Sequence, residues 1–379
     1  MAIVLGRENK RLKAGVKPSY ASACGQALGV FHARAAQEFA HRNTCRLGVS
    51  DVAQSTRATA KIRNVLPIFA ITFPFFALVL CGFVATRRGV LPLAAIPGLN
   101  TFVLYFALPC MLYRFGAQTP LAQLLDPVAA SVYLLCGLLM VAGTMAVTHQ
   151  KWGWNDAAFG ALVAAFPNSG FMGVPLLVAL LGAASAGPVI LTMAIDMVII
   201  SSLCIALSRL GQGEKGVAQA LRNALKGIVT NPMPWSIALG AVASACAFEL
   251  PGPIDQTVAM LAGAASPVAL FTIGAVLARS QCNEQEHVAP RHYVPIALAK
   301  LLVHPVLMWL ACQAAMAAGW HMSALTVTAL VLVAALPSAS NVSLLTERFG
   351  AHGGRVARII LVSTALAFLT FSASVALLV

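Results

Sequence analysis

From about residue 64 onward the chain is a succession of long apolar runs broken by short polar stretches. Ten of these runs are about 17–25 residues long, the length an α-helix needs to cross roughly 30 Å of hydrocarbon. They lie near 66–85, 96–115, 127–148, 157–181, 188–207, 232–248, 257–277, 293–317, 325–345 and 359–378. Apolar content within each is near-continuous, with no alternation of period two. In hydrocarbon every backbone N–H has to be satisfied within its own segment, so each run predicts a helix. The expected fold is an all-α polytopic membrane protein with ten transmembrane helices, numbered here as spans one to ten.

Composition agrees. Of 379 residues, 59% are hydrophobic and 10% are charged, and the mean hydropathy is +0.83. A soluble domain carries about 25% charged residues, so an ordinary soluble enzyme, a disordered protein and a nucleic-acid-binding domain are excluded for most of the chain. The net charge of +13 does not point to nucleic acid, because eleven of the 25 Lys and Arg fall within residues 1–63. The nine cysteines form no CxxC pair and mostly sit in apolar runs, where they read as small buried hydrophobes rather than metal ligands or disulfides.

Charge also orients the bundle. Basic residues gather after span one (Arg87, Arg88), span three (Lys151), span five (Arg209, Lys215, Arg222, Lys226) and span nine (Arg348, Arg355, Arg358). The alternate loops carry Asp126, Glu249 and Asp255. The positive-inside rule places the basic loops in the cytoplasm and both ends of the bundle outside. Residues 1–63 are a basic, acid-poor leader whose charge opposes export. A cytosolic tail, a transit peptide or translation from upstream of the true start would each look like this, and the abrupt onset of the apolar pattern at Val65-Leu66-Pro67 favours the last. The remainder divides into a first five-span half, 64–209, a cytoplasmic linker, 210–230, and a second five-span half, 231–379.

The halves repeat. Span two contains Pro109-x-x-Leu112-Tyr113-x-Phe115-Gly116 and span seven contains Pro267-x-x-Leu270-Phe271-x-Ile273-Gly274. Span four contains Ala164-Ala165-Phe166-Pro167-Asn168-Ser169, and span nine Ala334-Ala335-Leu336-Pro337-Ser338-Ala339. Five spans is an odd number, so the second copy inserts upside down relative to the first. Inverted repeats of this kind are a common plan of secondary transporters.

The most informative stretch is Pro167-Asn168-Ser169-Gly170-Phe171-Met172-Gly173-Val174-Pro175 in span four. Proline removes a donor and clashes with the preceding turn, and glycine costs a helix interior about 1 kcal/mol relative to alanine. The helix is expected to unwind here, and its partner to unwind at Pro337-Ser338-Ala339-Ser340-Asn341 in span nine. Irregular backbone at membrane depth is tolerated only where it is buried in protein or lines a cavity. A single proline kink would merely shape packing. Two breaks at repeat-related positions, each with Asn and Ser, favour a polar binding site lined by freed backbone N–H and C=O groups and the Asn168 and Ser169 side chains, with half-helix N-termini turned toward an anion. The candidate binding residues are Pro167, Asn168, Ser169, Gly170, Pro337, Ser338, Ser340 and Asn341.

Asp196 is the only acid at the centre of a span, with Thr192 one turn earlier on the same face. A charge there is costly, so the residue is either a proton or cation site or a structural buried carboxyl. Lys300 and His304 share a face of span eight; Lys300 is near enough to the cytoplasmic end to snorkel, and His304 either titrates or hydrogen-bonds a carbonyl. These four are candidate coupling residues. Arg114, near the outer end of span two, reads as a snorkelling side chain. There is no Walker A, HExxH or GxSxG motif, so no cofactor, metal or catalytic residue is assigned.

From residue 66 to the C-terminus the chain resembles the auxin efflux carrier family, closest to its short-loop bacterial branch of malonate-type transporters. The resemblance rests on Leu66-Pro67-Ile68-Phe69, 102–109, Pro167 to Leu176, Asn231-Pro232, Lys300-Leu301 with Pro305, Leu336 to Asn341, and Glu347-Arg348-Phe349-Gly350. It implies two inverted five-helix repeats, a scaffold of spans one, two, six and seven, and a moving part of spans three to five and eight to ten. It implies that carboxylates bind beside the crossing of spans four and nine, at Pro167, Asn168 and Pro337 with Ser338 and Asn341 as neighbours, and that relatives dimerise through the scaffold. The expected function is secondary transport of small organic anions across the cytoplasmic membrane, coupled to protons or sodium. The alternatives are a sodium-coupled symporter of bile-acid type and a channel.

Overall fold

A computed structural model describes residues 70–119, 126–210, 232–282 and 288–379, with Arg222 and Val229 besides. The leader 1–63 and most of the linker 210–230 lie outside the described residues. The described residues belong to one unit, Val65–Val379, and its regular structure is helical. Its helices are α1 (Ala70–Arg87), α2 (Leu93–Gln118), α3 (127–152), α4 (154–165), α5 (Ser169–Leu181), α6 (Ala183–Leu207), α7 (Pro232–Ala245), α8 (Gly252–Cys282), α9 (Val294–Ala317), α10 (Ala324–Ala335), α11 (Val342–Arg348) and α12 (Gly353–Leu378).

Among the described residues seven helical stretches, not ten, are each long and apolar enough to cross a membrane. The difference has physical causes. One stretch, Pro127–Ala165, holds α3 and α4 together. At 1.5 Å per residue its 39 residues would run about 58 Å, nearly twice the hydrocarbon thickness. Gly153 breaks it with φ 77° and ψ 170°, a backbone state that L side chains avoid. Spans four and nine are each two short helices. The helix of span six stops at Ala245, short of the expected 248, and Ala247 beyond it adopts φ 50°.

The starts of α3, α10 and α12 carry side-chain caps. Asp126, read above only as an outer-loop charge, accepts from the amides of Val128 and Ala129 at 2.9 and 3.0 Å and so caps α3. Arg114 does not simply snorkel; it forms an ion pair with Asp255 at 2.8 Å, tying the end of α2 to the start of α8. At the opposite end the basic loops meet. Asp156 accepts from the His352 amide at 2.9 Å and pairs with Arg355, which lies 4.0 Å over the Trp152 ring. Asn155 donates to the carbonyls of Phe349 and Gly350, and Arg209 stacks over Phe349. The loops after α3, α6 and α11 therefore share one end of the bundle, in keeping with their common positive charge.

Small residues bring helices close, as they do where lipid supplies no hydrophobic drive between them. Gly82 of α1 faces the Phe271 carbonyl, and Gly274 of α8 faces the Val79 carbonyl. Gly116 of α2 and Gly240 of α7 face one another's backbones. The final glycine of both copies of the repeated motif thus serves a helix contact, α2 on α7 and α8 on α1. Elsewhere α10 runs through the interior, with every residue from Ala329 to Ala335 buried against α6, α9 and α12. Leu135, Val147, Leu310 and Leu369 point outward, as lipid-facing side chains do.

Candidate functional site

The two breaks meet. Phe166 and Leu336 each precede a proline and are extended, with ψ 103° and 153°, because the proline ring excludes the helical region for the preceding residue. The two extended stretches pair as an antiparallel bridge between Pro167 and Ser338. Asn168 N donates to Pro337 O at 2.8 Å, and Ala339 N donates to Phe166 O at 3.0 Å. Ser338 N donates to Ser363 Oγ at 3.2 Å.

This corrects the sequence reading in two ways. Unwinding is confined to 166–168 in span four; Ser169–Gly173 continues as a wide helical turn, with Met172 and Gly173 both donating to Asn168 O. The freed amides of Asn168, Ser338 and Ala339 are not open groups, because the opposite stretch and Ser363 satisfy them. An unmet amide at this depth costs several kcal/mol, so each break supplies partners for the other.

What remains available is side chains and the start of α5. Ser169 Oγ, Ser338 Oγ and Asn341 Oδ1 are buried without a hydrogen-bond partner. Pro167, Asn168, Ser169, Gly170 and Asn341 line one narrow cavity of about 20 Å³, room for one or two waters. At the start of α5 the Ser169 amide is taken by the Pro167 carbonyl at 2.8 Å, and Gly170 and Phe171, which follow it, line the cavity. Of the candidate binding residues, Pro337 and Ser338 join through the backbone bridge. Ser340 is not brought to this cavity; it faces the other side of the break.

Behind the crossing lies a second buried cluster. Tyr133 of α3 donates to Asp196 Oδ2 at 2.7 Å, while Asp196 Oδ1 has no partner. Thr192 donates to the Val189 carbonyl at 2.7 Å and stands beside the Tyr133 hydroxyl. Lys300 is fully buried and does not snorkel. Its ammonium donates to Ala334 O at 2.9 Å and bonds His304 Nδ1 at 2.8 Å. Asp196 is within electrostatic reach of Lys300, without a direct ion pair.

The sequence supplied the four titratable or hydroxyl members but not what gathers them. Ala334 is near the C-terminus of the half-helix α10, where carbonyls lack amide partners and the helix dipole is negative. A buried ammonium on that carbonyl answers both. Tyr133 was missed, although a tyrosine mid-span announces itself, since its hydroxyl needs a partner in an apolar surround. Met193 and Met197, the neighbours of Asp196 in α6, line the crossing cavity, so the two sites are contiguous.

Comparison with known proteins agrees with this architecture. Residues 67–374 match the family model described as membrane transport protein. The chain is 30% identical over 310 residues to the "Putative malonate transporter" of Rhizobium meliloti (strain 1021), covering 80% of this chain and 93% of that protein. It is 23% identical over 287 residues to the "Uncharacterized transporter YfdV" of Escherichia coli (strain K12), covering 74% and 87% respectively.

Proposed function

Because the chain belongs to the membrane transport protein family, we propose that it is a secondary carrier that moves small organic anions, malonate-like carboxylates foremost, across the cytoplasmic membrane by alternating access. It is a multi-pass membrane protein. In this reading α4 with α5, and α10 with α11, make two broken crossings. With the other helices they complete ten crossings in two inverted halves, 64–209 and 231–379. The reciprocal bridge at Pro167 and Ser338 supports the halves' two-fold relation, as do the matched glycine contacts of α2 on α7 and α8 on α1.

The single observation that carries the reading is the crossing, where Ser169 and Asn341, each with an unpartnered buried oxygen, line a narrow cavity at the start of α5. A carboxylate would take hydrogen bonds from the Asn168 and Asn341 side-chain amides, the Ser169 hydroxyl and the Gly170 and Phe171 amides of α5, a helix N-terminus that favours negative charge. Gly170 lets the passenger approach the backbone. The described cavity is too small for a dicarboxylate, so substrate entry requires α3–α6 and α9–α12 to shift against α1, α2, α7 and α8. Asp196, Thr192, Lys300 and His304 form the charge relay. Lys300 supplies a cation from the protein itself at the negative end of α10, which favours a coupling ion other than sodium at that place.

Malonate uptake into proteoliposomes tests this. Wild type is expected to accumulate malonate equally in sodium and choline at fixed pH. Asn168→Ala should lower transport by roughly ten- to a hundredfold, the scale of one or two lost hydrogen bonds to a charged group. Equal transport by the two proteins would remove Asn168 from the site, and a strict sodium requirement would restore the sodium-coupled reading.

A further inference from the structure

A vestibule of about 390 Å³ opens at the end of the bundle where the basic loops meet. Its polar lining is Arg279 of α8, Ser340, Ser343, Glu347 of α11, and Gly353 and Gly354 at the start of α12. A smaller pocket beneath it shares Val276 and Ser340 with the vestibule and Phe171 with the crossing cavity. Three hollows thus adjoin one another from the loop end to the crossing through shared lining residues.

We propose that this vestibule is a loading site for the carboxylate passenger, with Arg279 as its charge-recognising group and Ser340 as the step toward the crossing. The proposal rests on the carrier reading above and adds a second site to it. Ser340 is only 9% exposed and lines both the vestibule and the inner pocket. Arg279 has no acidic partner within ion-pair distance among the described residues, although Glu347 lines the same hollow. A guanidinium presents a planar fork that matches a carboxylate. Gly353 and Gly354 have no side chains to shield the first amides of α12, a 26-residue helix whose N-terminus attracts anions. Its cap, His352 Nδ1, accepts from the Arg355 amide at 3.3 Å. Glu347 repels the passenger's charge and holds affinity down, which a site that must release inward requires.

Sided transport of malonate in oriented proteoliposomes tests the proposal. Arg279→Gln is expected to raise the half-saturation concentration roughly three- to tenfold for malonate presented on the vestibule side. The maximal rate and the half-saturation from the opposite side should stay as in wild type, a sidedness that a general folding defect would not produce. Arg279→Lys should recover most of the loss. Glu347→Gln should lower the vestibule-side half-saturation about two- to threefold, since it removes a partly screened repulsion, and it carries the test if Arg279→Gln does not fold. Unchanged half-saturation in both Arg279→Gln and Glu347→Gln, with wild type transporting malonate, overturns the loading site and leaves the carrier reading standing. A wild type that moves no carboxylate overturns both.

Discussion

Gly274→Ala is expected to destabilise the folded protein by about 3 kcal/mol or more, and Gly263→Ala in the same helix to leave it intact. A Cβ on Gly274 would lie 1.9 Å from Val79 O and 2.7 Å from Phe83 N, both backbone atoms of α1. Backbone cannot turn aside as a side chain can, so α1 and α8 would have to separate along their seam and lose close packing over its length. Overpacking costs about 1–3 kcal/mol and occasionally more, and a clash with backbone belongs at the top of that range, against a total stability of about 5–15 kcal/mol. A Cβ on Gly263 meets nothing within 4 Å, and the gain in helix propensity is about 1 kcal/mol. Thermal unfolding in detergent followed by size-exclusion chromatography separates the two. Equal midpoints would mean that α1 and α8 do not touch as described.

Lys300→Met is expected to abolish transport and to lower stability together. The substitution removes the donor to Ala334 O, the bond to His304 Nδ1 and the cation nearest Asp196. Leaving one member of a buried charged set uncompensated costs roughly 3–5 kcal/mol. Asp196→Asn should behave differently. Its amide oxygen still accepts from Tyr133, so the fold persists, while transport falls on the order of a hundredfold, equivalent to about 2.7 kcal/mol in one step. The double variant should regain part of the stability lost by Lys300→Met, because the two uncompensated groups disappear together. Strict additivity of the unfolding midpoints would show that the two residues do not communicate. Near-normal transport by Asp196→Asn would take the buried cluster out of the transport cycle.

The contrast between these sites shows what a one-dimensional reading reaches. Pro167 and Pro337 are visible as helix breakers because their effect is local: each forces its predecessor into extended backbone wherever the rest of the chain lies. That the two extended stretches then satisfy one another's amides is not local. It turned the expected open amides into a closed bridge and left Ser169, Ser338 and Asn341 as the unmet groups. Lys300 misled for the same reason. Its sequence distance from a helix end suggested snorkelling, whereas its environment is set by the end of α10, a different segment. Ser340 shares a motif with Ser338 but faces another hollow, since beyond the proline the chain no longer follows a fixed helical face.

Hydropathy, the helical character of the long apolar runs and the charges of the loops were determined by the sequence itself, because hydrocarbon imposes helix on any long apolar run and membrane charge asymmetry acts on each loop separately. Which oxygen is left without a partner, which cation stands behind the crossing and where a vestibule opens were decided only by the tertiary structure. Hydrogen bonding in a dry interior is settled by whichever groups come within about 3 Å, and those groups come from segments more than a hundred residues apart, as Phe166 and Ala339 do.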